Sequence, residues 1–402
     1  MGVMPRRGPP GRRANPSSAR VAGGALLVFV LCAFAYVYAD AGAGRRMLES
    51  TLRAAGTTDV SSTLASLGIA MSTSADGMKI AEYCQSEDSS TMAQHFLNQT
   101  RDVPFWTACP SSAWLDAYAR LSPTGSKTMV DIGCNKGYSS AKFFALWAPE
   151  VGFAPNTLRN KRPEVNCGTC GDCSDHTDET AAGGRAQDML TVYCVEPSMR
   201  NFANLILTRD AFFGPSAPER AQWYVVNAAV SNRSELVHFP RGCIDELCSL
   251  EGNSDGTRLR DFDYVQLTTV DEFVTAYEID AIDVLKIDTE GYDATVLRGA
   301  MQLLSAKKVG LLSFEYHEVG AWREYSLKSV VEQLDGLDYV CYYDGKPELS
   351  RLTGCWSDKY EAYAWSNVAC VQRHHPMYAH MERMTSRFAR HKAAYYQEAA
   401  KE

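Results

Sequence analysis

Met129-Val130-Asp131-Ile132-Gly133-Cys134-Asn135-Lys136-Gly137-Tyr138 is the stretch that decides the fold. An apolar run breaks into a polar loop with two glycines. From Tyr138 to Trp147, Phe143, Phe144 and Trp147 then fall on one helical face. Strand, glycine turn and helix in that order form the first unit of an open α/β sheet, where ligands bind at the carboxyl ends of strands. Gly133 and Gly137 leave out the Cβ where a ligand comes close to the backbone. The first N–H groups of the helix favour a carboxylate or phosphate. The spacing sets aside two common ligands. A dinucleotide loop, G-x-G-x-x-G, would need glycine where this chain has Asn135 and Tyr138, and no G-x-x-x-x-G-K-[ST] loop for nucleoside triphosphates is present. Taken alone, the segment is also compatible with an ordinary strand-to-helix turn.

Working outward, the same alternation repeats. Strands are expected at Lys127–Gly133, Leu190–Glu196, Ala221–Val230, Tyr264–Val270, Asp283–Asp288 and Val309–Tyr316, with two closing strands near Tyr339–Tyr343 and Tyr363–Val371. Helices are expected from Met199 through Ile206, from Asp271 to Tyr277 with Asp271 as its cap, through Leu297, Ala300, Met301 and Leu304, and around Leu327–Leu334. The pattern predicts an α/β fold with a doubly wound, mostly parallel, seven-stranded sheet over residues 127–375. Residues 149–188, rich in Gly, Asp, Cys and Thr, interrupt it as an insertion, and 232–263 is a second irregular stretch.

Two further segments carry candidate chemistry. Val192-Tyr193-Cys194-Val195-Glu196-Pro197 places an acid at the end of the second strand, where it can accept hydrogen bonds from two ribose hydroxyls. Glu196 lies 63 residues after Gly133, against about 20 in the usual arrangement, and the insertion accounts for the excess. Capping of the next helix is the plainer role for such an acid. Downstream, Asp283-Val284-Leu285-Lys286-Ile287-Asp288-Thr289-Glu290-Gly291-Tyr292 is a second apolar strand running into a polar glycine loop.

These segments, with Asn227-Ala228-Ala229-Val230-Ser231, Thr269-Val270-Asp271-Glu272-Phe273, Leu297-Arg298-Gly299-Ala300 and Phe314-Glu315, occur in an order that resembles the FkbM family of methyltransferases. The likeness covers about residues 127–320, and Lys286-Ile-Asp-x-Glu-Gly is its most distinctive element. It implies a Rossmann-like fold and S-adenosylmethionine as cofactor, held by Asp131, Gly133, Asn135, Gly137, Glu196 and Asn227. It also implies O-methylation of a sugar-containing or other hydroxylated acceptor. The chain departs from the family at the insertion and at Tyr292-Asp293, where the family tends to have a small residue and Glu.

Methyl transfer from a sulfonium to oxygen is an in-line displacement, governed mainly by alignment, and a positioned base helps a poorly nucleophilic hydroxyl. Asp288, Glu290, Glu315 and His317 lie at the ends of the two strands concerned. His317 is the expected base, with Asp288 and Glu290 as catalytic partners, because its ordinary pKa is nearest neutrality. The plainer role for the two acids is to order their loop by accepting backbone N–H bonds. A divalent metal on Asp288, Glu290 and His317 has suitable ligands, but nothing in the spacing fixes a geometry, and no metal is expected.

The remainder of the 402 residues bears on location. Residues 1–20 carry five arginines and no acid, while the whole chain carries −8, which disfavours nucleic acid as a partner. Residues 21–39 are an uncharged run of 19, long enough to span a bilayer as a single anchor. The flanking arginines orient it with the amino terminus in the cytosol; a cleaved signal peptide is the rival. Residues 40–80 read as a stem, 81–126 as a helical cap and 376–402 as a charged helical tail. The expected location is a secretory-pathway membrane, the Golgi above all, with the catalytic region lumenal. A chloroplast leader is another reading, and the spacing leaves oligomeric state open. Sequons at Asn98 and Asn232 are compatible with the lumen. Of 13 cysteines, Cys167, Cys170 and Cys173 with His176 have zinc-ligand spacing, but an oxidising compartment favours disulfides. Cys243 and Cys248 could close a local loop, Cys341, Cys355 and Cys370 lie near one another, and Cys134 and Cys194 are expected to stay free thiols. Two other functions fit parts of the pattern: a non-catalytic binding module on the same fold, and an NAD-dependent oxidoreductase, which the glycine spacing disfavours.

Overall fold

The computed structural model describes residues 112–165, 188–241 and 261–385, apart from positions 123, 216, 346 and 347, together with short fragments at 90, 93–94, 248–250 and 252–253. The chain divides into two units, Met1–Lys79 and Ile80–Glu402, and every described residue belongs to the second. The basic tail, the 21–39 anchor, the stem, Asn98, the Cys167–Cys173 cluster with His176, Cys243 and the tail beyond 385 lie outside the described residues. Among the described residues, no helix is long and apolar enough to cross a membrane.

In chain order the strands are β1 (Lys127–Ile132), β2 (Leu190–Val195), β3 (Ala221–Val226), β4 (Ala229–Val230), β5 (Glu235–Pro240), β6 (Cys248–Ser249), β7 (Gly252–Asn253), β8 (Phe262–Thr268), β9 (Ile282–Ile287), β10 (Val309–Tyr316), β11 (Tyr339–Asp344), β12 (Leu349–Arg351) and β13 (Ser366–Gln372). The α-helices are α1 (Ala113–Leu121), α2 (Tyr138–Trp147), α3 (Pro155–Lys161), α4 (Met199–Phe212), α5 (Val270–Ala276), α6 (Asp293–Arg298), α7 (Met301–Ser305), α8 (Leu327–Gly336) and α9 (Tyr378–Arg383).

The main sheet has the order β12-β11-β13-β10-β9-β1-β2-β3. From β3 to β10 neighbouring strands run parallel; β13, β11 and β12 add antiparallel pairs. The sheet therefore has eight strands rather than the expected seven, because β12 extends its edge. The strand expected at Tyr264–Val270 forms as β8 but leaves the main sheet, and pairs with β4 and β5 in a separate three-stranded sheet. The single strand expected over Ala221–Val230 breaks at Asn227, and its second half, β4, joins that smaller sheet.

Residues alternate between two apolar layers, as strand geometry requires. Val130, Ile132, Leu285 and Phe314 face one layer with Phe273, Val296 and Leu334. Met129, Val284 and Leu311 face the other with Phe143, Trp147, Leu205 and Trp223. Helix α1 is held to the second layer's side by Trp114 Nε1 donating to Asp344 Oδ2 at 2.8 Å and by Tyr118 OH donating to Asp283 Oδ1 at 2.7 Å.

Two local expectations are corrected. Thr269, not Asp271, caps α5: its Oγ1 accepts from Glu272 N at 3.1 Å. Asp271 caps a different helix, accepting from Gln302 N at 3.0 Å and Leu303 N at 2.9 Å in the first turn of α7. The helix expected through Leu297 and Leu304 is two helices, broken at Gly299 and Ala300. A Cβ at Gly299 would lie 2.0 Å from the Ser231 carbonyl oxygen, so the chain makes its turn there around a close backbone approach.

Candidate functional site

Strand order reverses at β1: β2 and β3 lie on one side, and β9 and β10 on the other. This is the switch point of the sheet, and it opens a crevice beyond the carboxyl ends of β1, β2 and β9. The loops that form the crevice are locked together. Gly133 has φ +73° and sits so close to the next loop that an added Cβ would fall 1.7 Å from the Asp288 carbonyl oxygen. Asp288 N donates to Ile132 O at 2.9 Å, and Gly133 N donates to Val195 O at 2.9 Å. Asn135, at φ +49°, and Gly137, at φ +85°, complete the turn into α2.

Glu196 meets this turn despite its sequence distance, because β1 and β2 pair in register with Ile132 opposite Val195. Its Oε2 accepts from Asn135 N at 2.9 Å and its Oε1 from Ser198 N at 2.9 Å. Each oxygen keeps a lone pair for a ligand hydroxyl. Burial pushes the Glu196 carboxyl up to about 7, opposed by the N–H bonds from Ser198 and Asn135. Asn201 Nδ2 supports the turn from α4 by donating to Asn135 Oδ1 at 3.2 Å. The helix-capping role falls to Ser198, whose Oγ accepts from Asn201 N.

Asp131 and Asn227 shape the crevice from behind. Asp131 is fully buried, accepts from Ser140 Oγ at 2.8 Å and lies 3.4 Å from Lys286 Nζ. Asn227 Nδ2 donates to the backbone carbonyls of Glu196 at 2.9 Å and Pro197 at 3.1 Å, fixing the loop after β2. Lys286 also donates to Asp288 Oδ2 at 2.9 Å. Burial alone would lower the Lys286 ammonium, but Asp288 and Asp131 outweigh it and hold its pKa above the usual lysine range.

The second half of the site lies beyond β9 and β10. Strand alternation does not carry Asp288 and Glu290 to one face, since β9 ends at Ile287 and Glu290 adopts φ +53°. Asp293 organises the loop instead. It accepts from Thr289 Oγ1 at 3.0 Å and Glu315 N at 3.1 Å, and burial raises its carboxyl to about 6. Gly291 and Gly320 bring the two loops into backbone contact, with Ala321 N donating to Gly291 O at 2.8 Å. In the space so enclosed, Glu290, Glu315 and His317 converge. Burial, reinforced by neighbouring carboxylates, holds both glutamates well above the usual carboxylate range.

His317 is brought to the site but in a form that departs from the expected base. Its Nδ1 accepts from Val319 N at 3.3 Å, so the neutral ring carries its proton on Nε2, the atom facing Glu315. Burial lowers its pKa to about 4, partly offset by Asp288, and its ring stacks on Trp365 at 4.8 Å. At neutral pH this geometry makes Nε2 a donor rather than a proton acceptor. Asp288 is accessible, with a side chain 26% exposed and its charge matched by Lys286.

Cys134 and Cys194 are not free thiols: they form a disulfide that ties the glycine loop to β2. Cys341 and Cys370, paired across β11 and β13, form another. Asp293 and Asn201 carry no sequence signal of their own. Asp293 stands where the chain departs from the family pattern, and only the fold reveals its hydrogen-bonding role.

The profile of the Methyltransferase FkbM domain matches residues 131–341, just over half the chain. The chain belongs to the FkbM methyltransferase family. Both motif segments and the crevice residues named above, Trp365 apart, lie within or beside that span. Methyltransferase FkbM from Methylobacillus flagellatus KT is a similar solved structure, 13% identical, with 83% of this chain and 71% of that one covered at a TM-score of 0.33. No curated protein matches the chain.

Proposed function

We propose that this FkbM-family protein uses S-adenosylmethionine to methylate a hydroxyl of a glycan in the lumen of the secretory pathway. The observation that carries the cofactor reading is Glu196, brought across 63 residues of sequence to within hydrogen-bonding distance of the glycine loop at Asn135. The residues fit the cofactor. The space a Cβ would take at Gly133 and Gly137 is filled by the Asp288 carbonyl and by Trp223 and Leu205, so these glycines shape the turn rather than open it to a ligand as the sequence led us to expect. The two oxygens of Glu196, each anchored by one N–H, retain lone pairs for two ribose hydroxyls. Asn135 and Asn201 shape the turn, and Asp131 and Asn227 hold the loops from beneath.

When bound, the cofactor supplies an electrophilic methyl group on a positively charged sulfur. The chain contributes alignment of the acceptor oxygen opposite the breaking C–S bond. The bound cofactor would leave as a neutral thioether that keeps the electron pair of the broken C–S bond, and the hydroxyl proton of the acceptor would pass to a carboxylate of the chain. Asp288 is the group assigned to take it. It lies at the junction of the two motif loops and is exposed to the crevice, and Lys286 holds it in place. His317, buried with its proton on Nε2 facing Glu315, is not the group that takes the proton.

The two disulfides support an oxidising compartment, and the exposed Asn232 of the second sequon is accessible to glycosylation. The test is calorimetry with S-adenosylmethionine on the purified protein. Glu196→Ala should weaken binding at least tenfold. Unchanged affinity in that variant would overturn the cofactor assignment. Transfer of labelled methyl groups to fractionated glycans, compared with lipid and peptide fractions, then tests the acceptor class.

A further inference from the structure

We infer that Glu290, Glu315 and His317 form a binding site for one divalent cation at the acceptor side of the crevice. One ligand atom from each residue lies within 4.8 Å of the other two. Metal–oxygen bonds of about 2.0–2.6 Å span roughly 4–5 Å between opposite ligands, so small side-chain rotations close the set.

The second observation is independent of the cluster's charge. Glu290 Oε2, Glu315 Oε2 and His317 Nε2 are buried without a hydrogen-bond partner. The His317 side chain is 2% exposed and directs Nε2 at Glu315 Oε2 from 4.0 Å. Buried polar atoms are almost always satisfied, and several orphans aimed at one point mark an unfilled position. Lys286, whose charge reaches both glutamates, makes its ion pairs with Asp288 and Asp131 instead, and among the described residues no ion pair joins Glu290 or Glu315 to Lys or Arg. Asp293 spends its oxygens on Thr289 and Glu315 N. The remaining contacts hold the ligands in place: Trp365 stacks on the His317 ring and also hydrogen-bonds Glu315.

Two carboxylates and one imidazole are a hard to borderline donor set, suited to Mn²⁺ or Mg²⁺ rather than to thiophilic ions. Coordination through Nε2 moves the ring proton to Nδ1 and gives up the long contact from Val319 N. Resting on the methyltransferase reading above, the cation would polarise the acceptor oxygen beside Asp288, which still takes the proton.

The experiment is Mn²⁺ binding to the purified full chain, followed by electron paramagnetic resonance, with S-adenosylmethionine affinity measured in parallel. The expected result is one Mn²⁺ per chain, weakened at least tenfold in both Glu315→Gln and His317→Ala, with cofactor affinity within threefold of the parent in each. Retained cofactor affinity shows that the variants are folded. Absence of stoichiometric Mn²⁺ binding at millimolar concentration overturns the cation site, as does binding that both variants leave unchanged. Mn²⁺ bound through these residues in a protein that fails to bind S-adenosylmethionine keeps the site and defeats the methyltransferase reading instead.

Discussion

Gly133→Ala puts the locking of the two crevice loops to a direct test. The position has φ +73°, and the new Cβ would sit 1.7 Å from the Asp288 carbonyl oxygen and 2.8 Å from its carbon. The first effect is the backbone conformation itself, about 1–2 kcal/mol for a side chain in the left-handed region. The second is the collision. Its target is a backbone carbonyl held by Asp288 N on Ile132 O, so no rotamer change relieves it, and overpacking of this kind costs about 1–3 kcal/mol. Together they predict a loss of roughly 2–5 kcal/mol, a large part of the 5–15 kcal/mol typical of a domain. Gly152 is the internal control. It has φ +69°, but an added Cβ meets nothing within 4 Å, so Gly152→Ala should lose only about 1–2 kcal/mol. Urea denaturation of both variants, with slopes compared, measures the difference. If Gly133→Ala is no more destabilised than Gly152→Ala, the contact between the loops is not what the structure describes. Reduced cofactor affinity should accompany the stability loss only in the first variant.

Two further outcomes are expected. Glu196, raised to about 7 from an ordinary 4.5, keeps a proton in the folded protein that the unfolded chain has released between those values. Its contribution to stability therefore declines as pH rises from about 4.5 to 7, on the order of 3 kcal/mol in all. Ribose hydroxyls donate to the ionised form, so S-adenosylmethionine affinity should climb from pH 6 to 8 with release of a proton; calorimetry in buffers of different ionisation enthalpy reads both, and a flat profile would refute the role. The Cys134–Cys194 bridge closes a sequence separation of 60, for which chain entropy gives about 4 kcal/mol. The double Cys→Ala variant should lose stability of that order in equilibrium unfolding, and a loss below about 1 kcal/mol would make the bridge incidental.

What the sequence made legible follows the reach of each interaction. The strands β1, β2, β9 and β10 and their glycine turns were readable because apolar periodicity and loop glycines are local signals. Glu196 was readable because strand ends are predictable even when their spacing is not. The breaks at Asn227 and at Gly299 were not, since they rest on contacts with distant segments, the Asn227 side chain on the Glu196 carbonyl and the Gly299 backbone against Ser231. The environment of His317 was hidden for the same reason: its ordinary pKa favoured a base, whereas the Val319 N–H and its burial, set by the loop after β10, leave the proton on Nε2. Cys134 and Cys194 read as buried strand residues, and only the register that puts neighbouring strands side by side shows them to be partners.

The in-register pairing of β1 with β2 also acts as a ruler. It sets Ile132 opposite Val195, so the glycine turn and the acid each begin one residue beyond a matched pair, whatever length of chain separates them. The added sequence rejoins at the other end of these six-residue strands, where Asp188 Oδ2 accepts from Gly125 N at 2.7 Å. That is about 20 Å from the crevice. The register, not the length of chain between the strands, sets the spacing of the two motifs at the crevice. Residue counting between the two motifs is therefore a poor guide to their distance in space, although Phe153, Leu158 and Val165 of the intervening segment pack into the core with Leu205 and Trp223.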